Sequence, residues 1–171
     1  MTALEPASSA RVRPATADDA EALARIYNPY ILDTIITFEE TAITATEMAR
    51  RLAEVDGYGL PWLVAEHAGT VVGYAYATRW RTRHAYRFAV ESTVYLGPEA
   101  IGHGIGTQLY EALFEALRQR GTHAVIGGIA LPNDASVALH EKLGMRKVAH
   151  FPEVGFKFGR WIDVGYWQRN L

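Results

Sequence analysis

Four groups of residues have types and spacings able to do chemistry. Gly102-His103-Gly104-Ile105-Gly106-Thr107 sets three glycines at alternate positions ahead of a helical pattern. Such a turn lets the backbone approach a ligand closely, and the amides opening the next helix favour an anion. It lacks the Gly-Lys-Ser/Thr ending and the G-x-G-x-x-G fingerprint, so it is compatible with a phosphate cradle or with an ordinary glycine-rich turn. Glu91 is a lone carboxylate in the apolar run Phe88 to Leu96. Buried, it would have a raised pKa and suit a general base near neutral pH; on a half-exposed strand it would simply face water. Arg79, Arg81, Arg83 and Arg87, with Trp80 and Tyr86 among them, precede it with no intervening acid. Arginine forks bind carboxylates and phosphates, although a solvated loop has the same composition. His140 lies mid-helix, where a histidine is usually structural, and the other histidines show no ligand spacing, so no metal is expected.

The elements around these residues are legible from periodicity. Arg11 to Arg13 could open a first strand, and Asp18 and Asp19 precede a helix with apolar positions Leu23, Ala24, Tyr27 and Ile31. Thr34 to Phe38 suits either a strand or an extended loop. Thr44 and Glu47 form a capping-box pattern for a second helix ended by Gly57 and Gly59. A hairpin follows (Trp62 to Glu66, a turn, Val71 to Thr78), then an alternating strand from Arg87 to Leu96. After the glycine turn, Leu109, Leu113 and Leu117 mark a helix stopped by Gly121. A strand (Ala124 to Leu131), a short helix from Asn133 with Gly144 as its cap, and a β-rich segment through Trp167 complete the chain. Residues 1–10 read as a loose tail and residues 11–171 as one mixed α/β domain, a sandwich of sheet and helices.

Composition limits the function classes. The chain has 171 residues, 49 % of them apolar and 21 % charged, so it can bury a full core. Formal charge is 17 − 19 = −2, which excludes a chain-wide basic field for nucleic acid. There are no cysteines, hence no disulfide, thiol catalysis or Cys-ligated zinc. The longest stretch free of Asp, Glu, Lys and Arg, Gly121 to Asn133, contains a proline and falls short of the ~20 residues a spanning helix needs. Glu5 and Pro6 stand where a signal peptide would be apolar. A cytoplasmic protein with no membrane partner is expected.

Together, Val90-Glu91-Ser92-Thr93-Val94-Tyr95-Leu96, the glycine turn, and Leu131-Pro132-Asn133-Asp134 through His140-Glu141-Lys142-Leu143-Gly144 resemble a GNAT-superfamily N-acetyltransferase. The ending Phe156-Lys157-Phe158-Gly159-Arg160-Trp161-Ile162-Asp163-Val164-Gly165-Tyr166-Trp167 is similar to the phosphinothricin and methionine sulfone/sulfoximine acetyltransferase family. The resemblance runs from Val12 to Leu171 and implies a central mixed sheet with helices on both faces, acetyl-CoA as donor, a small amino-acid-like acceptor and a homodimer. It also implies roles. Val94, Tyr95 and Leu96 would line the pantetheine arm, with the Leu96 amide facing the thioester oxygen. Gly102, His103, Gly104, Ile105, Gly106 and Thr107 would hold the pyrophosphate, and Asn133 would contact the pantetheine region. Glu91 matches the family's base. His140 stands where many members place a tyrosine that protonates the departing thiolate, and an imidazole can fill that role or share the base's work. Phe38, Arg81, Arg83 and Tyr86 match positions that line the acceptor pocket. Ile101 replaces a usual Gln or Arg and Gly102 a residue often basic, which implies weaker CoA affinity. Two rival expectations remain: an acetyltransferase for another small amine or a peptide N-terminus, and a non-catalytic acyl-CoA sensor.

Overall fold

The computed structural model describes residues 10–171, so the tail assigned to residues 1–10 lies, except for Ala10, outside the described residues. Seven strands form one sheet: β1 (Arg11–Pro14), β2 (Trp62–His67), β3 (Thr70–Arg79), β4 (Ala89–Leu96), β5 (Ala124–Leu131), β6 (Arg146–Lys157) and β7 (Arg160–Asn170). Their order is β1-β2-β3-β4-β5-β7-β6, antiparallel throughout except for the parallel pair β4–β5. The helices are α1 (Ala20–Asp33), α2 (Ala45–Gly57), α3 (Ile105–Gln119) and α4 (Asp134–Lys142). The final β-rich segment is thus a long hairpin, and Thr34 to Phe38 is a bent loop rather than a strand.

Strands buried on both faces need helices on both. Leu109, Leu113 and Leu117 form one stripe of α3 and pack on Leu63, Ala65, Ala75, Val90 and Val125, with Leu139 of α4 against the same cluster. On the opposite face Leu23, Tyr27 and Ile31 of α1 and Met48 and Val55 of α2 cover Trp62, Val64 and Tyr74. Alternate residues of β2 therefore supply the two cores, as the period-2 pleat requires. Both layers come from amphipathic spacing alone.

One local expectation needs correction. Thr44 does accept a hydrogen bond from the Glu47 amide at 3.1 Å, but the reciprocal half of the capping box is missing. The Glu47 carboxylate instead takes Arg50 and Arg51 on the next turn, because two guanidinium groups attract it more strongly than one backbone amide. Among the described residues no helix is long and apolar enough to cross a membrane.

Candidate active site

The sheet opens at one place. β4 and β5 pair through Ala89–Ala124, Val90–Val125 and Glu91–Ile126, then part, although each continues to pair with its outer neighbour. The bonds from the Gly97 amide to Val72 and from the Trp80 amide to the Ala89 carbonyl show that odd-numbered β4 residues turn their backbone groups to β3. Ser92, Val94 and Leu96 consequently turn theirs into the gap. The hydroxyl of Tyr30 donates to the Leu96 carbonyl at 2.5 Å, at the gap's far end. A strand edge bared inside a fold needs a hydrogen-bonding occupant, and an extended ligand carrying amides meets that need.

Glu91 sits at the fork. It is half-buried, lining a cleft of about 430 Å³ with Phe38, Thr93, Tyr95, Gly128 and Tyr166. Burial pushes its pKa above the ordinary carboxylate value, and the nearby positive charge of Arg81 partly opposes that shift. Gly128 makes room for Tyr166: a Cβ there would stand 3.0 Å from the Tyr166 ring, while Glu91 Oε1, at 3.6 Å, would be in ordinary contact. A carboxylate held this way can take a proton from an ammonium entering the cleft.

Across the gap lies a buried polar cluster. His140 is 3 % exposed. Its Nδ1 is 2.7 Å from the Ser136 carbonyl, which can only accept, so the proton is assigned to Nδ1. That leaves Nε2 with its lone pair, 3.4 Å from the hydroxyl of Tyr110. Desolvation lowers the His140 pKa below its ordinary value and keeps the ring neutral near pH 7. Gly127 is glycine for a steric reason, because a Cβ would come 2.7 Å from Nε2. Ser92 Oγ, in the same cleft wall, is buried without a partner.

The glycine turn lies at the gap's outer end. Gly102 and Gly104 have φ of 82° and 75°, the left-handed region that glycine adopts without penalty, and Gly104 caps α3. The Gln108 amide is the first of α3 to bond back, to the Gly104 carbonyl, so the amides of Ile105, Gly106 and Thr107 lack intrahelical acceptors. Asn133 caps α4, its side-chain oxygen accepting from the Ser136 amide at 3.1 Å, which leaves its NH₂ group at the cleft wall. Ile101 and His103 are exposed.

Not every expected residue converges. Val94, Tyr95, Asn133, His140, Glu91 and Phe38 line the one cleft, whereas Leu96 borders an adjoining apolar hollow with Tyr30 and Ile101. Arg81 influences Glu91 by charge but lines a neighbouring groove with Trp62 and Tyr76. Arg83 and Tyr86 lie on an exposed segment outside the cleft. Sequence reasoning missed Tyr110, Tyr166, Ser92 and the glycines of β5, whose signal was present in Gly127-Gly128 interrupting a strand. Among the described residues no cluster of three or more His, Cys, Asp or Glu could hold a metal ion.

A parallel pair that opens beyond a half-buried carboxylate, with open amides at the end of the gap, is the arrangement of an acyl-CoA-dependent acetyltransferase. The family model for the acetyltransferase (GNAT) domain matches residues 12–165, and the chain belongs to that family. It is an N-acetyltransferase with acetyl-CoA as co-substrate. The chain is 42 % identical over 161 residues to a phosphinothricin N-acetyltransferase of Streptomyces viridochromogenes, covering 94 % of this chain and 87 % of that one. It is 38 % identical over 167 residues to an L-methionine sulfoximine/L-methionine sulfone acetyltransferase of Pseudomonas paraeruginosa, covering 95 % of each. The crystal structure of a phosphinothricin acetyltransferase from Sinorhizobium meliloti in complex with acetyl-CoA superposes with a TM-score of 0.92 at 40 % identity, covering 96 % of this chain and 89 % of that one.

Two outcomes test the electrostatics. Since burial raises the Glu91 pKa and Arg81 lowers it, the acid limb of the pH–kcat/KM profile should lie above the ordinary value of ~4.3. Arg81→Ala should move that limb to higher pH; movement to lower pH would remove Glu91 as its source. For His140 the folded pKa is depressed, so its contribution to stability is complete above the unfolded value of ~6.5 and is lost as pH falls toward the folded one. The melting-temperature margin of wild type over His140→Gln should therefore shrink from pH 7 to pH 5. Parallel melting curves would mean that the imidazole is protonated within the fold.

Proposed function

We propose that the chain acetylates the α-amine of a small amino-acid analogue of the phosphinothricin, methionine sulfone or methionine sulfoximine type. The observation that carries this reading is Glu91: a carboxylate raised in pKa by burial, at the fork where the bared β4 edge meets the acceptor end of the cleft. Bound acetyl-CoA supplies an activated acetyl thioester. Val94 and Leu96 offer backbone donors and acceptors to its extended arm; the Leu96 amide, expected to face the thioester oxygen, lies at the far end of the gap from Glu91 and so serves the arm rather than the reacting carbonyl. Tyr95 walls the same arm, and the Asn133 NH₂ group donates to it. The open amides of Ile105, Gly106 and Thr107, after the tight turn at Gly102, His103 and Gly104, hold the pyrophosphate. Glu91 removes a proton from the acceptor ammonium, freeing the lone pair that attacks.

His140 follows from its tautomer. With Nε2 unprotonated it can accept a proton at once, so it shares the base's work; protonating a thiolate requires it first to take one up. Phe38 packs on the acceptor, and Arg81 attracts its acidic group while restraining the Glu91 pKa. Arg83 and Tyr86, on an exposed segment outside the cleft, are given no contact with the acceptor in this reading.

Glu91→Gln keeps the shape but cannot accept the proton. Turnover should fall ~10²–10⁴-fold, the usual loss with a general base, while acetyl-CoA affinity stays near normal. Thiol release from acetyl-CoA with a panel of amino-acid analogues, other amines and short peptides checks both base and acceptor. Turnover confined to peptides would replace the acceptor class. Absence of release with every amine would leave an acyl-CoA sensor.

The chain also carries a surface suited to a second copy of itself. Phe151 and Phe156 on the edge strand β6, Phe158 in the turn and Trp161 on β7 are 48–63 % exposed, with the Phe156 and Trp161 rings 4.8 Å apart. Patches of this kind on an otherwise charged surface mark association sites. Trp161→Glu should convert a dimer to a monomer in sedimentation velocity. A wild type that sediments as a monomer at every concentration would dismiss the dimer.

A further inference from the structure

The acceptor end of the cleft is closed by the loop between α1 and α2, residues 34–44, and that loop is anchored by a part of the chain more than a hundred residues away. Lys157, the last residue of β6, is 1 % exposed. Its ammonium donates to the Ile31 carbonyl at 2.7 Å and the Thr37 carbonyl at 2.8 Å. Among the described residues no carboxylate lies within 4.0 Å of it; Glu39 and Glu40 act only at longer range. A buried ammonium answered by neutral carbonyls is costly, and an apolar side chain of similar length would pack there without that cost. The last turn of α1 offsets part of it, because helix C-terminal carbonyls carry partial negative charge. What the ammonium accomplishes is geometric. It ties the end of α1 and the backbone of Thr37 to β6, fixing the residue that precedes Phe38.

Two residues earlier on the same strand, Gly155 is the seat of the Phe38 ring. A Cβ at Gly155 would stand 2.4 Å from Phe38 Cζ and 2.5 Å from Cε2, so the outer end of the ring rests on bare backbone. Phe38 is itself 41 % exposed and lines the cleft with Ile36, Thr37 and Val154. The other side of the loop is held independently: Thr37 Oγ1 and the Tyr27 hydroxyl are 2.7 Å apart, and Glu39 receives a bidentate pair of bonds from Arg51 at 2.6 and 2.8 Å. The segment is thus fastened at both ends, with Phe38 between.

We propose that Gly155 and Lys157 are specificity-determining positioning residues: one seats and the other anchors Phe38 as the wall of the acceptor site. Neither touches the reacting atoms. The inference rests on the assignment of this cleft end to the acceptor, and it implies that the C-terminal hairpin, through these two positions, selects the size of the acceptor.

The test is a double-mutant cycle on the full chain, read with whichever amine the wild type acetylates. Gly155→Ala must displace the Phe38 ring, and it should raise the acceptor KM on the order of tenfold, the effect of one misplaced methylene in an apolar pocket. The Kd for acetyl-CoA, measured by calorimetry, should not change. In a Phe38→Ala background the same Gly155→Ala change should raise KM no further. Lys157→Met should likewise raise the acceptor KM with acetyl-CoA affinity intact. Should it fail to fold, the Gly155 cycle decides alone. An acceptor KM unaltered by Gly155→Ala, or an equal rise with and without Phe38, overturns the proposal. A wild type that acetylates only amines other than amino-acid analogues contradicts the acceptor assigned above, while the cycle still reads the seat of Phe38.

Discussion

The structure depends on the place where two parallel strands stop pairing. Up to Glu91 and Ile126 the sheet is continuous; beyond them, β4 and β5 each keep only their outer neighbour. An unpaired backbone group shut away from water costs about 1–3 kcal/mol, so an opening with several such groups on its edge is stable only if water or a ligand fills it. The glycines directly after the last pair permit the opening. At Gly127 the absent Cβ leaves space for the His140 ring, and at Gly128 for the Tyr166 ring. Side chains of His140 and Tyr166 therefore occupy the space that these two glycines leave beside the gap.

The two ends of the gap have opposite character. At the outer end the chain offers backbone amides and almost no charged side chain; Ile101 and Gly102 supply none. The pyrophosphate proposed for this end would be held by the helix terminus and turn geometry, which suit an anion. The inner end is built from side chains with shifted titration. Burial raises Glu91, Arg81 restrains the rise, and burial lowers His140, so that two groups able to accept a proton face the cleft from opposite walls. Opposed shifts of this kind let one site hold a neutral imidazole and a basic carboxylate together.

The acceptor end also shows how long-range contacts stiffen a segment that has no regular structure. The 34–44 loop is tied to α1 through Tyr27 and Asn28, to α2 through Arg51, and to β6 through Lys157. Rigid supports on three elements hold a recognition surface in place at less entropic cost on binding than a free loop would incur.

The amphipathic stripes of α1 and α3, the alternation along β4 and the glycine caps were all legible in the sequence, which marked Glu91 as an isolated carboxylate without deciding its surroundings. Each depends on residues within one or two turns of one another, where periodicity and local backbone preference decide the outcome. The family motifs are legible for the same reason, being contiguous runs around β4, the glycine turn and α4. Other features were decided only by tertiary structure. Whether Glu91 faced water or a cleft depended on β5 and β7 arriving beside it, because desolvation comes from neighbours distant in the chain. The neutral state of His140 depended on burial and on the approach of Tyr110 from another helix, although the Ser136 carbonyl that takes its Nδ1 proton lies only one turn away in α4. The Glu47 carboxylate left its cap for Arg50 and Arg51, a competition that a capping pattern does not contain. Lys157 carries no local signal of its role; folding buries its ammonium against carbonyls of α1 and the 34–44 loop. Local spacing determined which elements form; the environment of each ionisable group, and so its chemistry, was set by which elements packed against it.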